Sequence, residues 1–147
     1  MTETIRSILK KKGSDVWWLP PEASVYDAIA KMADKGVGAL VVLAEGKLAG
    51  IMSERDYARK VFLKGKSSKE TLVREIMTAT VVTVTPEQTV DECMRIMTGH
   101  RIRHLPVMEG GEVVGVVSIG DLVNSIISVQ AATIHQLSNY ITGKYPA

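Results

Sequence analysis

Gly115-Val116-Val117-Ser118-Ile119-Gly120-Asp121 repeats the design of an earlier stretch, Gly50-Ile51-Met52-Ser53-Glu54-Arg55-Asp56. Each reads as a small residue, an apolar pair suited to a buried strand, a serine, two open positions and an aspartate, followed by helix-compatible sequence. Ser and Asp then stand at the start of a helix. Unpaired backbone N–H groups and the positive dipole end there suit a phosphate or the oxygen-rich face of a sugar. The same pattern is also that of a capping box, in which Ser118 and Asp121 satisfy helix N–H groups and bind nothing.

The two aspartates lie 65 positions apart, and the same offset holds without a gap over some forty-five positions. Val16 meets Val81, Pro21 meets Pro86, Glu22 meets Glu87 and Met32 meets Met97; further on, Leu40 meets Leu105, Val42 meets Val107 and Gly46 meets Gly111. The chain is an internal repeat. We divide it into a leading helix (1–15), a first repeat (16–65), a linker and lead-in (66–80), a second repeat (81–128) and a C-terminal helix or tail (129–147).

Each repeat reads as strand, helix, strand, strand, helix, an α+β pattern. Val16-Trp17-Trp18-Leu19, closed by Pro20-Pro21, is the first strand. Ser24 with Asp27 and Thr89 with Glu92 start the first helices, whose stripes (Val25, Ala28, Ile29, Met32 and Val90, Cys93, Met94, Met97) have the spacing of a helix on a sheet. Glu45-Gly46 and Gly110-Gly111 supply the turns of two hairpins, and a second helix runs from Asp56 through Phe62 and from Asp121 onwards. Thr2 to Lys12 predicts a short leading helix ending on three lysines. In the tail, Ile126, Ile127, Ile134, Leu137 and Ile141 fall near one face, longer than a closing helix needs, which predicts a partner subunit.

The chain has 147 residues and a formal charge of +2, long enough for one core and too weakly charged to argue for nucleic acid or a membrane in bulk. Its single cysteine, Cys93, sits at an apolar helix position and offers neither disulfide nor zinc spacing, in keeping with a reducing compartment. The longest apolar run, Val37 to Ala44, is far short of a bilayer span and no leader precedes Trp17, so the expected location is cytoplasmic.

With Glu75-Ile76-Met77-Thr78, Ile102-Arg103-His104-Leu105-Pro106-Val107 and Gly115 to Asp121 in this order, the tandem repeat resembles the cystathionine-β-synthase (CBS) domain pair, or Bateman module. The first repeat matches less fully: Val37-Gly38-Ala39-Leu40-Val41-Val42 lacks the basic pair and the proline. The resemblance implies two repeats packed sheet to sheet as a pseudo-two-fold pair, with two clefts for adenosine-containing ligands: AMP, ADP, ATP, NAD(H) or S-adenosylmethionine. It implies that Asp56 and Asp121 bind ribose diols with Ser53 and Ser118 beside them. Adenine is then flanked by Trp17 or Val82 and by Val37 or Ile102, next to Gly38 and Ala39, with Lys12 and Met77 closing the clefts. Arg55, Arg103 and His104, and Arg101 less clearly, match positions that reach phosphates. In the family such residues reach the ligand of the other repeat, which sets the more phosphate-rich ligand at Asp56.

The resulting expectation is a regulatory sensor that binds an adenine nucleotide, works as a homodimer and uses no catalytic cofactor or metal. An enzyme is disfavoured by the sequence, which has no nucleophile elbow, Walker loop, zinc spacing or paired catalytic carboxylates. A structural interaction module, with Ser-x-x-Asp acting as caps alone, is the alternative. Nucleic-acid binding through Arg59, Lys60, Lys64, Lys66 and Lys69 is a weaker third.

Overall fold

The computed structural model describes residues 3–141. Its elements run α1 (Ile5–Lys12), β1 (Trp18–Leu19), α2 (Val25–Lys35), β2 (Ala39–Ala44), β3 (Lys47–Ser53), α3 (Glu54–Tyr57) continued by a π-helical stretch (Ala58–Phe62), α4 (Val73–Ile76), α5 (Val90–His100), β4 (His104–Glu109), β5 (Glu112–Ser118) and α6 (Ile119–Ile141). The fold is mixed α+β, with one three-stranded sheet, β1-β2-β3, and one two-stranded sheet, β4-β5.

The chain divides into two compact units that do not follow the repeats in sequence. One draws on the chain up to Gly13, on Pro86–Leu105 and on the chain from Val117; the other on Ser14–Thr85 and Pro106–Val116. Helix α1 therefore belongs with α5 and α6. Its start is stitched to the segment before α5: Ile5 N–H donates to Gln88 O (2.9 Å), Arg6 N–H to Pro86 O (2.8 Å), and Val90 N–H to Glu3 O (2.9 Å). In the other unit α4 makes the matching bonds to the segment before α2, Val73 N–H to Ala23 O (2.8 Å) and Arg74 N–H to Pro21 O (2.9 Å).

In the α2 unit, Leu19, Val25, Ala28, Met32, Leu40, Val42, Met52, Val61, Val73 and Ile76 form one apolar cluster. The stripe of α2 and the buried faces of β2 and β3 follow the periodicity, and Leu19 of β1, Val61 of the π-helical stretch and Val73 and Ile76 of α4 complete the cluster. In the α5 unit the buried residues include Ile5, Ile8, Leu9, Val90, Cys93, Met97 and Leu122. The hairpin turns use positive φ at both central residues, Glu45 (53°) with Gly46 (78°) and Gly110 (61°) with Gly111 (79°), the geometry that matches strand twist.

Three expectations are corrected. The first strand is only Trp18–Leu19, parallel to Val41–Val42, and its counterpart in the second repeat is reduced to a single bridge between Val84 and Val107. The reason lies at Pro106. Val41 N–H donates to Trp17 O (3.2 Å), and the matched residue, Pro106, has no N–H to give. The second helix of the first repeat starts at Glu54 rather than Asp56 and widens to π geometry from Ala58, with Leu63 N–H reaching back to Ala58 O (3.0 Å). The leading helix starts at Ile5, capped by Thr4; Thr2 and the tail after Ile141 lie outside the described residues, as does the Ile141 side chain.

Candidate ligand-binding motifs

The two Ser-x-x-Asp stretches are built alike. Strand β3 runs into α3 at Ser53, and β5 runs into α6 at Ser118. Ser53 N–H donates to Asp56 Oδ2 (2.9 Å) while Ser53 Oγ accepts from Asp56 N–H (3.2 Å). Ser118 N–H donates to Asp121 Oδ2 (2.8 Å) and Ser118 Oγ accepts from Asp121 N–H (3.2 Å). Both are reciprocal capping boxes, which fix each carboxylate at the helix start. Behind each motif the residue that precedes β2 or β4 accepts the first helical N–H: Gly38 O from Glu54 (3.0 Å) and Arg103 O from Ile119 (2.8 Å).

The charges at the two motifs are supplied differently. At Asp121, Lys12 from the end of α1 places Nζ 2.7 Å from Oδ2. At Asp56, Lys60 one turn along the same helical segment places Nζ 3.1 Å from Oδ1 and also donates to Ile76 O (2.8 Å). Burial works to raise the Asp121 pKa, but the hydrogen bond and charge of Lys12 and the bonds from Ser118 outweigh it, and the carboxyl lies below its usual range. His104 is half-buried, and burial pulls its pKa down. Asp121 opposes that shift, while Lys12 and Arg103 reinforce it.

Around Asp121 the structure thus groups Ser118, Lys12 and His104, with Arg103 and the partly buried Ile102 next to His104 in sequence. The backbone of Arg101 is the left-handed C-cap of α5 (φ 55°), its N–H turned to Met97 O and Thr98 O. Around Asp56 lie Ser53, Arg55 and the backbone of Gly38. Ala39, expected at a pocket wall, is buried and paired with Ser53 in the β2–β3 register. Trp17, Val37 and Met77 are partly buried against the apolar cluster of the same unit. Lys35 Nζ stands 4.4 Å from the Trp17 ring centroid, and Val82 is partly buried.

Two contacts were missed in the sequence. Lys60 stood out only as one of several basic residues, although its i,i+4 spacing from Asp56 is the signal that finds it. Glu3 was not singled out. Its carboxylate accepts from Ser7 Oγ (2.6 Å) and Ser125 Oγ (2.7 Å) and pairs with Lys11, and these bonds lower its pKa to about 2. Among the described residues no group of His, Cys, Asp and Glu is arranged to hold a metal ion, and no helix is long and apolar enough to cross a membrane.

A tandem α+β repeat in which each unit closes on a capped Ser-x-x-Asp helix start defines the CBS class of modules. The chain belongs to the CBS domain family, matching it over residues 5–62 and 73–128. It is 43% identical over 151 aligned residues to the mitochondrial CBS domain-containing protein CBSX3 of Arabidopsis thaliana, covering 97% of this chain and 73% of that protein. A CBS-domain protein from Burkholderia ambifaria MC40-6 is 53% identical in sequence and superposes with a TM-score of 0.84 over 86% of this chain and 95% of that one. The CBS domain pair of the protein MJ0100, solved with 5′-methylthioadenosine and S-adenosyl-L-methionine, superposes with a TM-score of 0.75 at 25% identity, over 84% of this chain and 95% of that one.

Proposed function

We propose that this CBS pair is a non-catalytic sensor that binds adenine nucleotides of the AMP, ADP, ATP or NAD(H) type at its Ser-x-x-Asp motifs and converts occupancy into a change of shape or association. The observation that carries the reading is the pair of carboxylates held at helix starts, one of them paired with Lys12 and acting on His104. An ionised carboxylate accepts hydrogen bonds only, which suits a ribose diol, and the neighbouring cations suit phosphates. The adenosine ligands of the MJ0100 pair support the ligand class.

In this reading Ser53, Asp56, Ser118 and Asp121 hold ribose, and Trp17, Val37, Gly38, Ala39, Met77, Val82 and Ile102 contribute the surroundings of the base. Arg55, Arg103 and His104 serve phosphate. Because Asp121 acts electrostatically on His104, we assign the phosphate of His104, and of Arg103 next to it in sequence, to that motif rather than to Asp56, where the resemblance had set it. Arg101, whose backbone caps α5, is a further phosphate candidate. A reducing, cytoplasmic setting and a homodimer stay part of the proposal. The dimer is supported by α6, where Val123, Ile127, Ile134 and Leu137 are 39–66% exposed, and a monomeric mass by light scattering at micromolar concentration would remove it.

The cap-only alternative, a structural interaction module, is favoured by the completed capping boxes. Native mass spectrometry of the purified protein with AMP, ATP or NADH added separates the two. Stoichiometric nucleotide adducts are expected; a protein that carries none at a hundred micromolar ligand would leave the interaction module as the better reading.

A further inference from the structure

The two motifs match in backbone and caps but not in which carboxylate oxygen is engaged. At Asp121 both described hydrogen bonds fall on Oδ2, from Ser118 N–H (2.8 Å) and Lys12 Nζ (2.7 Å). A ribose hydroxyl can then donate to Oδ1 with cap and ion pair still in place. At Asp56 the Ser53 N–H and Oγ–H both fall on Oδ2 (2.9 and 3.1 Å), and Lys60 takes Oδ1 (3.1 Å). A diol arriving there must share Oδ1 with a lysine that is also anchored on Ile76 O.

We propose that Lys12 is the specificity-determining residue of the Asp121 motif, the counter-ion that lets a ribose-binding carboxylate accept a phosphorylated rather than a neutral nucleoside. This rests on reading the motif as a ribose site. The physical need is plain: a carboxylate that binds the sugar also repels the phosphate a few ångströms further on. Lys12 cancels that charge with its ammonium 2.7 Å from Asp121 Oδ2. An ammonium has three donors, so it can stay on Asp121 Oδ2 and still donate to a phosphate oxygen. The positions matched with Lys12, Arg103 and His104 hold Met77, in the lead-in, and Gly38 and Ala39, in the first repeat. Lys12 does not come from the repeat whose motif it serves. It arrives on α1, 109 residues away in sequence.

The test uses the full chain carrying Asp56→Asn, so that the Asp121 motif is read alone, and compares Lys12, Lys12→Met and Lys12→Arg. Each is titrated calorimetrically with AMP and with adenosine. Lys12→Met is expected to weaken AMP at least tenfold and to change adenosine less than threefold, and Lys12→Arg to restore most of the AMP preference. A lysine that only pins α1 would move both probes together or neither, so an unchanged AMP-to-adenosine ratio in Lys12→Met overturns the assignment. Failure of the Asp56→Asn protein to bind either probe overturns the ribose reading of Asp121 itself, and this inference with it.

Discussion

Gly50→Ala tests the packing that positions the first repeat's motif. A Cβ on Gly50 would lie 2.7 Å from Met77 Sδ, 3.0 Å from Met77 Cγ and 2.9 Å from Thr78 O. The methionine can turn away, being flexible. The Thr78 carbonyl cannot, because it accepts from Ile51 N–H (3.0 Å) while Thr78 N–H donates to Ile51 O (2.9 Å). Overpacking of this kind costs about 1–3 kcal/mol, and losing the Ile51–Thr78 pair outright would cost about 1 kcal/mol per bond. We expect a loss of about 2 kcal/mol, read as a lower urea midpoint at unchanged slope and as a Tm lower by about 4–8 °C in a chain of this size. Adding Met77→Ala should recover only part of it, since the carbonyl stays. A Gly50→Ala protein within about 0.5 kcal/mol of wild type would show that the Met77–Thr78 segment yields freely, and the reasoning would fail.

Arg101→Gly should stabilise the protein by roughly 1 kcal/mol, because Arg101 occupies the left-handed region that its repeat counterpart Gly36 (φ 67°) takes without strain; chemical denaturation checks it. Glu3, with its pKa lowered to about 2, contributes stability that is fully present above its ordinary value of 4.5 and is lost as pH falls towards 2. Glu3→Gln should therefore cost roughly 2 kcal/mol at pH 7, a figure reduced for the exposed Lys11 partner, and the gap to wild type should close between pH 4.5 and 2 in urea titrations. Cys93 is buried and its thiol is pushed up to about 11, chiefly by burial, so native protein at pH 8 should react with a thiol reagent orders of magnitude more slowly than unfolded protein.

The local signals were legible in the sequence. The stripes of α2 and α5, the two hairpin turns and the Ser-x-x-Asp helix starts follow from spacing and cap chemistry within a few residues. What was not legible depends on partners distant in the chain. Nothing near Thr2–Lys12 says that α1 pairs with the segment before α5, so Lys12 could be placed near a cleft but not on Asp121 Oδ2. The short first strands depend on register against β2 and β4, where one proline at position 106 removes a donor. Lys60 was hidden by its neighbours Arg59, Lys64 and Lys66, a basic run that reads as solvated until the i,i+4 pair with Asp56 is drawn.

The central claim is that the capped aspartates are ribose sites rather than caps alone, and a thermal-shift comparison of wild type with Asp121→Ala, with and without AMP at a hundredfold excess over its dissociation constant, tests it most directly. Preferential binding to the folded state predicts about 2.7 kcal/mol of added stability in wild type, seen as a rise in Tm that Asp121→Ala largely abolishes. A variant that loses about 1 kcal/mol without ligand, as a missing cap would, and keeps the full AMP shift would contradict the account.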